Sequence, residues 1–318
     1  PMGEGIGRKF GLVLWVIRNG SKILREVRRA DAVHTPIPGD IGTIGMVLAL
    51  LFRKPLFVRH CGNWTVQRTT AERFWKWVME RYAGGRNVML ATGGGSEMPS
   101  EKNTNIKWIF STSLTTDQIE KSCPRRLPTD GDLRLITVCR QEKGKGTDIV
   151  IDTLPYLLVD FPGASLDIVG DGNELAKLKE QARDLGPNSR ITFHGKVEQA
   201  EVFSILKKAD LFCYPTESEG FPKSVIEALA SGIPVITTKV SVLPHLIGSG
   251  CGVILDSASS KNLAEAVIKI ASDRELYQRM SSTAIETAAG YTLETWGEFI
   301  GEELRRSWGV QSLDGSGN

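Results

Sequence analysis

Histidine is scarce in this chain: four in 318 residues, with no HExxH pair among them. No Gly-x-Ser-x-Gly elbow occurs either, so neither a zinc-protease helix nor a nucleophile elbow is expected. The five cysteines, Cys61, Cys123, Cys139, Cys213 and Cys251, are odd in number and never stand in a CxxC spacing. That argues against a disulfide framework or a zinc site and fits a reducing cytoplasmic compartment. Cys139 and Cys213 fall inside apolar strand patterns and read as small core residues. Long hydrophobic runs are missing too. The longest, Ile41 to Phe52, is about half of the roughly 20 residues that span a bilayer. No signal peptide, internal repeat or low-complexity tract is visible.

What is present is an ordinary globular composition, 41% hydrophobic and 24% charged, in a chain long enough for two domains. Net charge is only +2 but unevenly spread. Pro1 to Arg86 carries fifteen Lys and Arg against six acids, a local balance of +9. Such an excess suits a phosphate-bearing partner or an anionic membrane, and equally a plain solvated surface.

From Leu133 onward, strand and helix patterns alternate. Strands are expected at Arg134–Cys139, Leu166–Val169, Ile191–His194, Leu211–Tyr214, Val235–Thr238 and Val253–Leu255. Helices are expected between them at Thr147–Leu158, Glu174–Leu185, Gln199–Ala209 and Lys223–Ser231, with a short turn near Leu243–Ile247. Three more follow, at Asn262–Ala271, Arg274–Ala289 and Leu293–Trp308. The strands are continuous apolar runs, as in a parallel sheet covered on both faces. The pattern is that of a doubly wound α/β domain. Upstream, the α/β signals are weaker: strands near Ala32–His34, Leu56–His60, Val88–Thr92 and Ile106–Phe110, helices near Gly42–Phe52 and Thr69–Tyr82. Pro1–Gly20 shows no clear strand and loop, and Lys121–Asp132 reads as a linker.

The segment Tyr214 to Ile236 is the most informative. An apolar strand ends at Tyr214, a turn carries Glu219, and a helix starting at Pro222 or Lys223 carries Glu227 eight positions further on. Helix N-termini in open α/β sheets are anion sites, and a carboxylate beside one can accept hydrogen bonds from sugar or ribose hydroxyls. Arg140 and Lys145 follow the first strand of the same domain in a glycine-broken turn. Two cations there suit a diphosphate, or are merely exposed loop charges.

Other motifs carry less. Val169-Gly170-Asp171-Gly172 lacks the third glycine of a dinucleotide fingerprint, so a tight turn is expected rather than a nicotinamide site. Asp130-Gly131-Asp132 is read as linker and not as a metal-binding DxD. His60 ends an apolar strand and either touches substrate or caps its loop; His34 ends another, and His194 and His245 read as structural. Gly93-Gly94-Gly95-Ser96 offers backbone N–H groups to a phosphate or is a flexible turn. In the helix near Thr69–Tyr82, Ala71, Phe74, Trp75, Val78 and Tyr82 share one face, expected to be the core face. Trp77, Arg73, Lys76 and Arg81 lie on its flank, where they could meet a lipid headgroup.

On these residues the chain resembles the retaining glycosyltransferases of family 4, which have the GT-B fold. Glu219-Gly220-Phe221-Pro222 through Glu227 to Ile236 matches the family's E-x7-E element, and Arg140 with Lys145-Gly146 its Arg-x4-Lys element. Val169-Gly170-Asp171-Gly172 and Phe193-His194-Gly195 follow in the expected order. The resemblance implies an α/β, GT-B-like architecture of two Rossmann-like domains facing across a cleft, the first abbreviated. Residues 1–121 would be a partial acceptor-side domain and 122–132 the linker. Residues 133–290 would bind the donor, 291–308 would form a helix returning to the first domain, and 309–318 a disordered tail.

By that resemblance Glu227 would bind the donor ribose, and Glu219 would face the transferred sugar. Arg140 and Lys145 would neutralise the diphosphate in place of a metal. Backbone near Gly195 and Val197 would hold the base. Gly170, Gly220, Phe221 and Lys223 would line the donor, and His60 would approach the sugar. Pro222 stands where glycine is frequent, which removes one backbone donor. The implied activity is sugar transfer with retention, from a nucleotide diphosphate sugar to a glycan or lipid-linked acceptor. No cofactor and no nucleic acid are expected, and peripheral attachment to an anionic membrane at its inner face is. Two alternatives stand beside this: a nucleotide-sugar-binding module without turnover, and a sugar-nucleotide epimerase, against which the E-x7-E spacing argues.

Overall fold

The computed structural model describes residues 6–67, 69–95, 97–128, 132–186 and 190–309. Two compact units emerge, one of Pro1–Ile109 with Gly297–Asn318, the other of Phe110–Trp296. The division falls upstream of the segment 122–132 read as linker, and it runs through the last helix.

The first unit begins with α1 (Ile6–Arg29), then β1 (Val33–Ile37), α2 (Asp40–Leu51), β2 (Leu56–His60), α3 (Thr70–Tyr82), β3 (Asn87–Thr92) and β4 (Lys107–Ile109). Its sheet is parallel in the order β1-β2-β3-β4. Every crossover steps the same way, so right-handed connections place α2 and α3 on one face. The Trp75 indole N–H donates to Thr43 Oγ1 at 2.7 Å and ties those helices together. The core between helices and sheet is built on Met46, Leu56, Val58, Trp75, Met79 and Met89.

Ile6–Arg29 forms a 24-residue helix, which agrees with the lack of a strand and loop pattern in that stretch. One expectation needs correction here. In α3 the buried face is Trp75, Val78 and Met79, while Ala71, Phe74 and Tyr82 are exposed. The apolar arc of this helix is wider than the part that is buried, so periodicity alone does not choose between its residues. The choice comes from the Thr69–Glu72 capping box and the Trp75 anchor.

The second unit runs α4 (Thr116–Glu120), β5 (Arg134–Val138), α5 (Thr147–Leu157), β6 (Ser165–Val169), α6 (Leu175–Asp184), β7 (Arg190–Gly195), α7 (Gln199–Leu206), β8 (Leu211–Tyr214), α8 (Lys223–Ala230), β9 (Val235–Thr238), α9 (Leu243–Ile247), β10 (Gly252–Leu255), α10 (Ser260–Ala271) and α11 (Arg274–Ala289). Finally α12 (Leu293–Trp308) starts in this unit and ends in the first, where Lys107 pairs with Glu303 at 2.8 Å. The sheet is parallel throughout, in the order β10-β9-β8-β5-β6-β7. Strands 5 to 7 advance one way, then β8 returns beside β5 and the rest advance the other way. This is the doubly wound order, with its switch point between β5 and β8.

Both faces of that sheet are covered, which explains the continuous apolar strands. On β8, Phe212 and Tyr214 face one core with α7, α8 and α9, while Leu211 and Cys213 face the other with α5, α6 and α10. Each fully buried Leu, Ile or Val contributes roughly 1.5–3 kcal/mol. Rigid strand ends follow from these two cores, and the loops they carry are held accordingly.

Candidate functional site

Two loops rise at the switch point, 139–146 after β5 and 215–222 after β8. They are stitched together. The Glu217 backbone N–H donates to the Gly144 carbonyl at 2.8 Å, and Thr216 Oγ1 donates to the same oxygen at 3.3 Å. Gly146 caps α5 with φ 78°, and a β-carbon there would stand 2.3 Å from the Pro215 carbonyl oxygen. Only glycine meets both demands. The turn after β6 closes on the first loop from its other side. β-Carbons on Gly170 and Gly172 would lie 1.8 and 2.3 Å from the carbonyl oxygens of Cys139 and Gln141. These glycines therefore permit a close approach of two loops. Gln141 is fully buried and pins the junction. Its Nε2 donates to the Cys139 and Val169 carbonyls at 3.1 Å each, and its Oε1 accepts from Thr147 Oγ1 at 2.8 Å.

On this platform Lys145 and Glu219 come together. Lys145 Nζ donates to Glu219 Oε1 and to the Ser218 carbonyl, the latter at 2.9 Å. Their side chains are only 14% and 12% exposed, so the pair is shielded from solvent on most sides. The Tyr214 hydroxyl donates to the same Glu219 oxygen. Burial, joined by the Glu219 charge, holds the Tyr214 phenol far above its ordinary range, so it remains a neutral donor. Arg140 is on the same loop but points elsewhere: it is exposed and donates to Glu142 Oε1 at 3.0 Å.

Glu227 lies inside α8, buried. Its Oε1 accepts from Ser113 Oγ at 3.0 Å and from Gln199 Nε2 at 3.1 Å. Burial pushes its carboxyl up; the hydrogen bonds from Ser113 and Gln199 and the charge of Lys223 pull the other way. Pro222 is the extended N-cap of α8, so this helix start lacks one N–H. Lys223 is its exposed first residue. Gly220 accepts from Ser241 Oγ at 3.1 Å, and Phe221 packs beside Phe110 and Tyr291. Gly195 ends β7 with φ 67° and accepts from the Gly170 N–H at 2.7 Å; Val197 packs against the core behind α8.

Sequence reasoning passed over Ser113, Gln141, Gln199 and the side chain of Tyr214. Tyr214 ends β8 and Gln141 lies in the loop after β5, both at the switch point, a positional signal that was available. Ser113 gave none, because 114 positions separate it from Glu227.

His60 belongs to the first unit. It ends β2 and is buried, and among the described residues its Nδ1 has no hydrogen-bond partner. Trp64 packs edge-on at 5.4 Å, and burial lowers the imidazole to about 4. His34 is the second residue of β1 rather than its last and stacks on Phe57. In the other unit, His194 Nε2 meets Asp167 Oδ1 at 2.6 Å. Gly94 and Gly95 border an open cavity of about 530 Å³ with Lys76, Ser100 and Trp108. Gly93 is needed where the Trp108 ring passes, since a β-carbon would come within 2.6 Å of it. Ser96, Asp130 and Gly131 lie outside the described residues. Among the described residues no cluster of His, Cys, Asp or Glu could hold a metal ion. No described helix is long and apolar enough to cross a membrane.

The fold is thus a two-unit parallel α/β protein whose candidate site residues Lys145, Glu219 and Glu227 lie at or beside the switch point of the second sheet. Residues 119–287 match the family described as glycosyl transferases group 1, more than half of the chain, and the chain belongs to that family. The glycogen synthase of Mycobacterium tuberculosis is 31% identical over 160 residues, 50% of this chain and 39% of that protein. A GDP-mannose-dependent alpha-(1-6)-phosphatidylinositol monomannoside mannosyltransferase of the same organism is 29% identical over 160 residues, 48% of this chain and 42% of that protein. The chain therefore matches less than half the length of these curated relatives. Among solved structures, Anabaena HepE in complex with UDP-glucose aligns with a TM-score of 0.71 at 18% identity, covering 90% of this chain and 81% of that one. WaaG, a glycosyltransferase involved in lipopolysaccharide biosynthesis, aligns with a TM-score of 0.60 at 16% identity, covering 90% and 95%. These likenesses establish the GT-B-like fold.

Proposed function

We propose that this chain is a retaining, metal-independent glycosyltransferase of family 4. It moves a sugar from a nucleotide diphosphate sugar to an acceptor hydroxyl in cell-surface polysaccharide or lipid-linked glycan synthesis. The observation that carries the reading is the meeting of Lys145 and Glu219 at the switch point, with Glu227 on the helix that follows.

Each group has a physical task. Glu227 accepts hydrogen bonds from the ribose hydroxyls and Glu219 from those of the transferred sugar. Backbone at Gly195 and Val197 holds the base, and N–H groups around Gly220, Phe221 and Lys223 face the phosphates with the positive end of α8. Departure of the diphosphate is the demanding charge separation. Lys145 and Arg140 stabilise it as fixed cations, and preorganised charge of this kind usually lowers such a barrier more than any other effect. Arg140 has to leave Glu142 to take part, which its exposure permits. By the family resemblance, attack comes on the face the leaving group departs from, assisted by the leaving phosphate.

Two of the relatives above, the GDP-mannose-dependent mannosyltransferase and HepE with its UDP-glucose, motivate testing both GDP and UDP donors. The excess of cations in the first unit supports peripheral attachment to the inner face of a membrane. Calorimetry with UDP and GDP tests the donor site, and donor hydrolysis by Glu219→Ala and Lys145→Ala tests the chemistry. Binding by the wild type with at least tenfold slower turnover in both variants is expected. Unchanged rates in both would overturn the assignment.

A further inference from the structure

The tasks just assigned to Lys145 and Glu219 place a demand on the site. Lys145 is the cation that holds Glu219, through a direct contact to Oε1. It is also the cation assigned to the diphosphate. A diphosphate carries more negative charge than a carboxylate and competes for the same ammonium group. If Lys145 alone positioned Glu219, donor binding would loosen the carboxylate that has to face the sugar.

The fold supplies a second holder that no anion competes for. Tyr214 is the last residue of β8 and is 2% exposed. Its ring packs in the core with Phe212, at 6.0 Å between centroids. The backbone around it is fixed as well: Thr237 Oγ1 donates to the Tyr214 carbonyl at 2.7 Å, and Thr238 Oγ1 to that of Thr216 at 2.5 Å. The phenol therefore leaves a rigid strand end and reaches five residues ahead to Glu219 Oε1. It is uncharged, so a phosphate does not draw it away, and buried, so water does not replace it. An apolar residue would fill the core at this position equally well; only the hydroxyl adds the contact.

We infer, on the donor-site reading above, that Tyr214 is a positioning residue for the reaction: its hydroxyl keeps the Glu219 carboxylate aimed at the transferred sugar while the Lys145 charge is shared with the diphosphate. Tyr214 touches neither sugar nor phosphate and acts through Glu219. The consequence is a division of labour. The phenol contributes to kcat, where the sugar must be oriented, and little to nucleotide affinity, which Glu227 and the cations govern.

The test is Tyr214→Phe, which removes one oxygen and keeps the ring in its core. Calorimetry with UDP and GDP is expected to give wild-type affinity within about twofold. Hydrolysis of UDP-glucose and GDP-mannose is expected to show kcat lowered at least tenfold, with KM within threefold. In a Glu219→Ala background, Tyr214→Phe is expected to change nothing further, because the residue it positions is gone. Unfolding in urea of all four proteins checks that the effect is not a loss of fold. Wild-type kcat in Tyr214→Phe overturns the inference while leaving the donor site standing. So does an undiminished effect of Tyr214→Phe in the Glu219→Ala background. A wild-type chain that binds neither nucleotide, or that binds one and turns over neither sugar nucleotide, overturns the donor reading and the role of Tyr214 with it.

Discussion

The α-carbon of Gly146 sits so close to Pro215 that any β-carbon on it would stand 2.3 Å from the Pro215 carbonyl oxygen. That contact locks the loop after β5 onto the loop after β8, and so brings Lys145 to Glu219. Gly146→Ala should therefore cost more than a left-handed alanine alone. A loss of roughly 2–4 kcal/mol is expected, the sum of backbone strain and overpacking. Urea midpoints measure it. A loss below about 0.5 kcal/mol would show that the loops are not locked in this way.

Glu227 should make the protein less stable at neutral pH than a neutral isostere would. Its folded carboxyl is raised by burial. Below the unfolded value, both states are protonated and the group contributes nothing. As pH rises, the unfolded state ionises first, so stability falls through the window between the unfolded and the folded value. Glu227→Gln keeps an acceptor for Ser113 and Gln199 and should be more stabilising at pH 7 than at pH 4. The same variant should bind UDP or GDP at least tenfold more weakly, since an amide oxygen is a poorer acceptor for ribose hydroxyls. Equal stability increments at the two pH values would show that burial does not raise this carboxyl.

His60 makes the opposite contribution at its own pH range. Its imidazole is lowered from 6.5 to about 4, first by burial and then by Lys76, against an opposing effect of Glu72. A group depressed in the fold gives stability that is fully present above the unfolded value. That stability is lost as pH falls from about 6.5 toward 4, by up to about 3 kcal/mol. The difference in unfolding free energy between wild type and His60→Gln, followed from pH 7.5 to pH 4, should shrink accordingly. A difference independent of pH would mean that the imidazole titrates freely.

The outer surface of α3 provides the test of membrane attachment. Phe74, Trp77 and Tyr82 are exposed there beside Arg73 and Arg81, and the Arg81 guanidinium lies 5.4 Å from the Tyr82 ring centre. Exposed aromatics flanked by arginine suit the headgroup layer of an anionic bilayer. Co-sedimentation with vesicles of phosphatidylglycerol at low salt should fall several-fold in the double variant Phe74→Ser, Trp77→Ser, and phosphatidylcholine vesicles should bind little of either protein. Equal sedimentation of variant and wild type would remove this surface as the point of attachment.

Much of the second unit was legible because both faces of its sheet are covered. Each strand is then a bare apolar run, and the glycines that follow several of them mark loops at the ligand-binding edge. The first unit was less legible. Its opening helix carries Gly7, Gly11 and Gly20, which blur the helical period. In α3 the apolar arc takes in Phe74, Trp77 and Tyr82 as well as the buried Trp75, Val78 and Met79, so the pattern alone left the buried part undetermined.

By itself, the sequence determined the doubly wound order of elements, the pair Glu219 and Glu227 on a turn and the helix after it, and the cations Arg140 and Lys145 on a neighbouring loop. Those features depend on local pattern and on spacing along one stretch of chain. Only the tertiary structure decided that Lys145 reaches Glu219 while Arg140 turns to Glu142, that Tyr214 shares the Glu219 oxygen, and that Ser113 and Gln199 hold Glu227. The physical reason is that a hydrogen bond is set by where side chains end in space. Lys145 and Glu219 are 74 positions apart and Ser113 and Glu227 are 114 apart, and only the packing of elements distant in sequence brings them within reach.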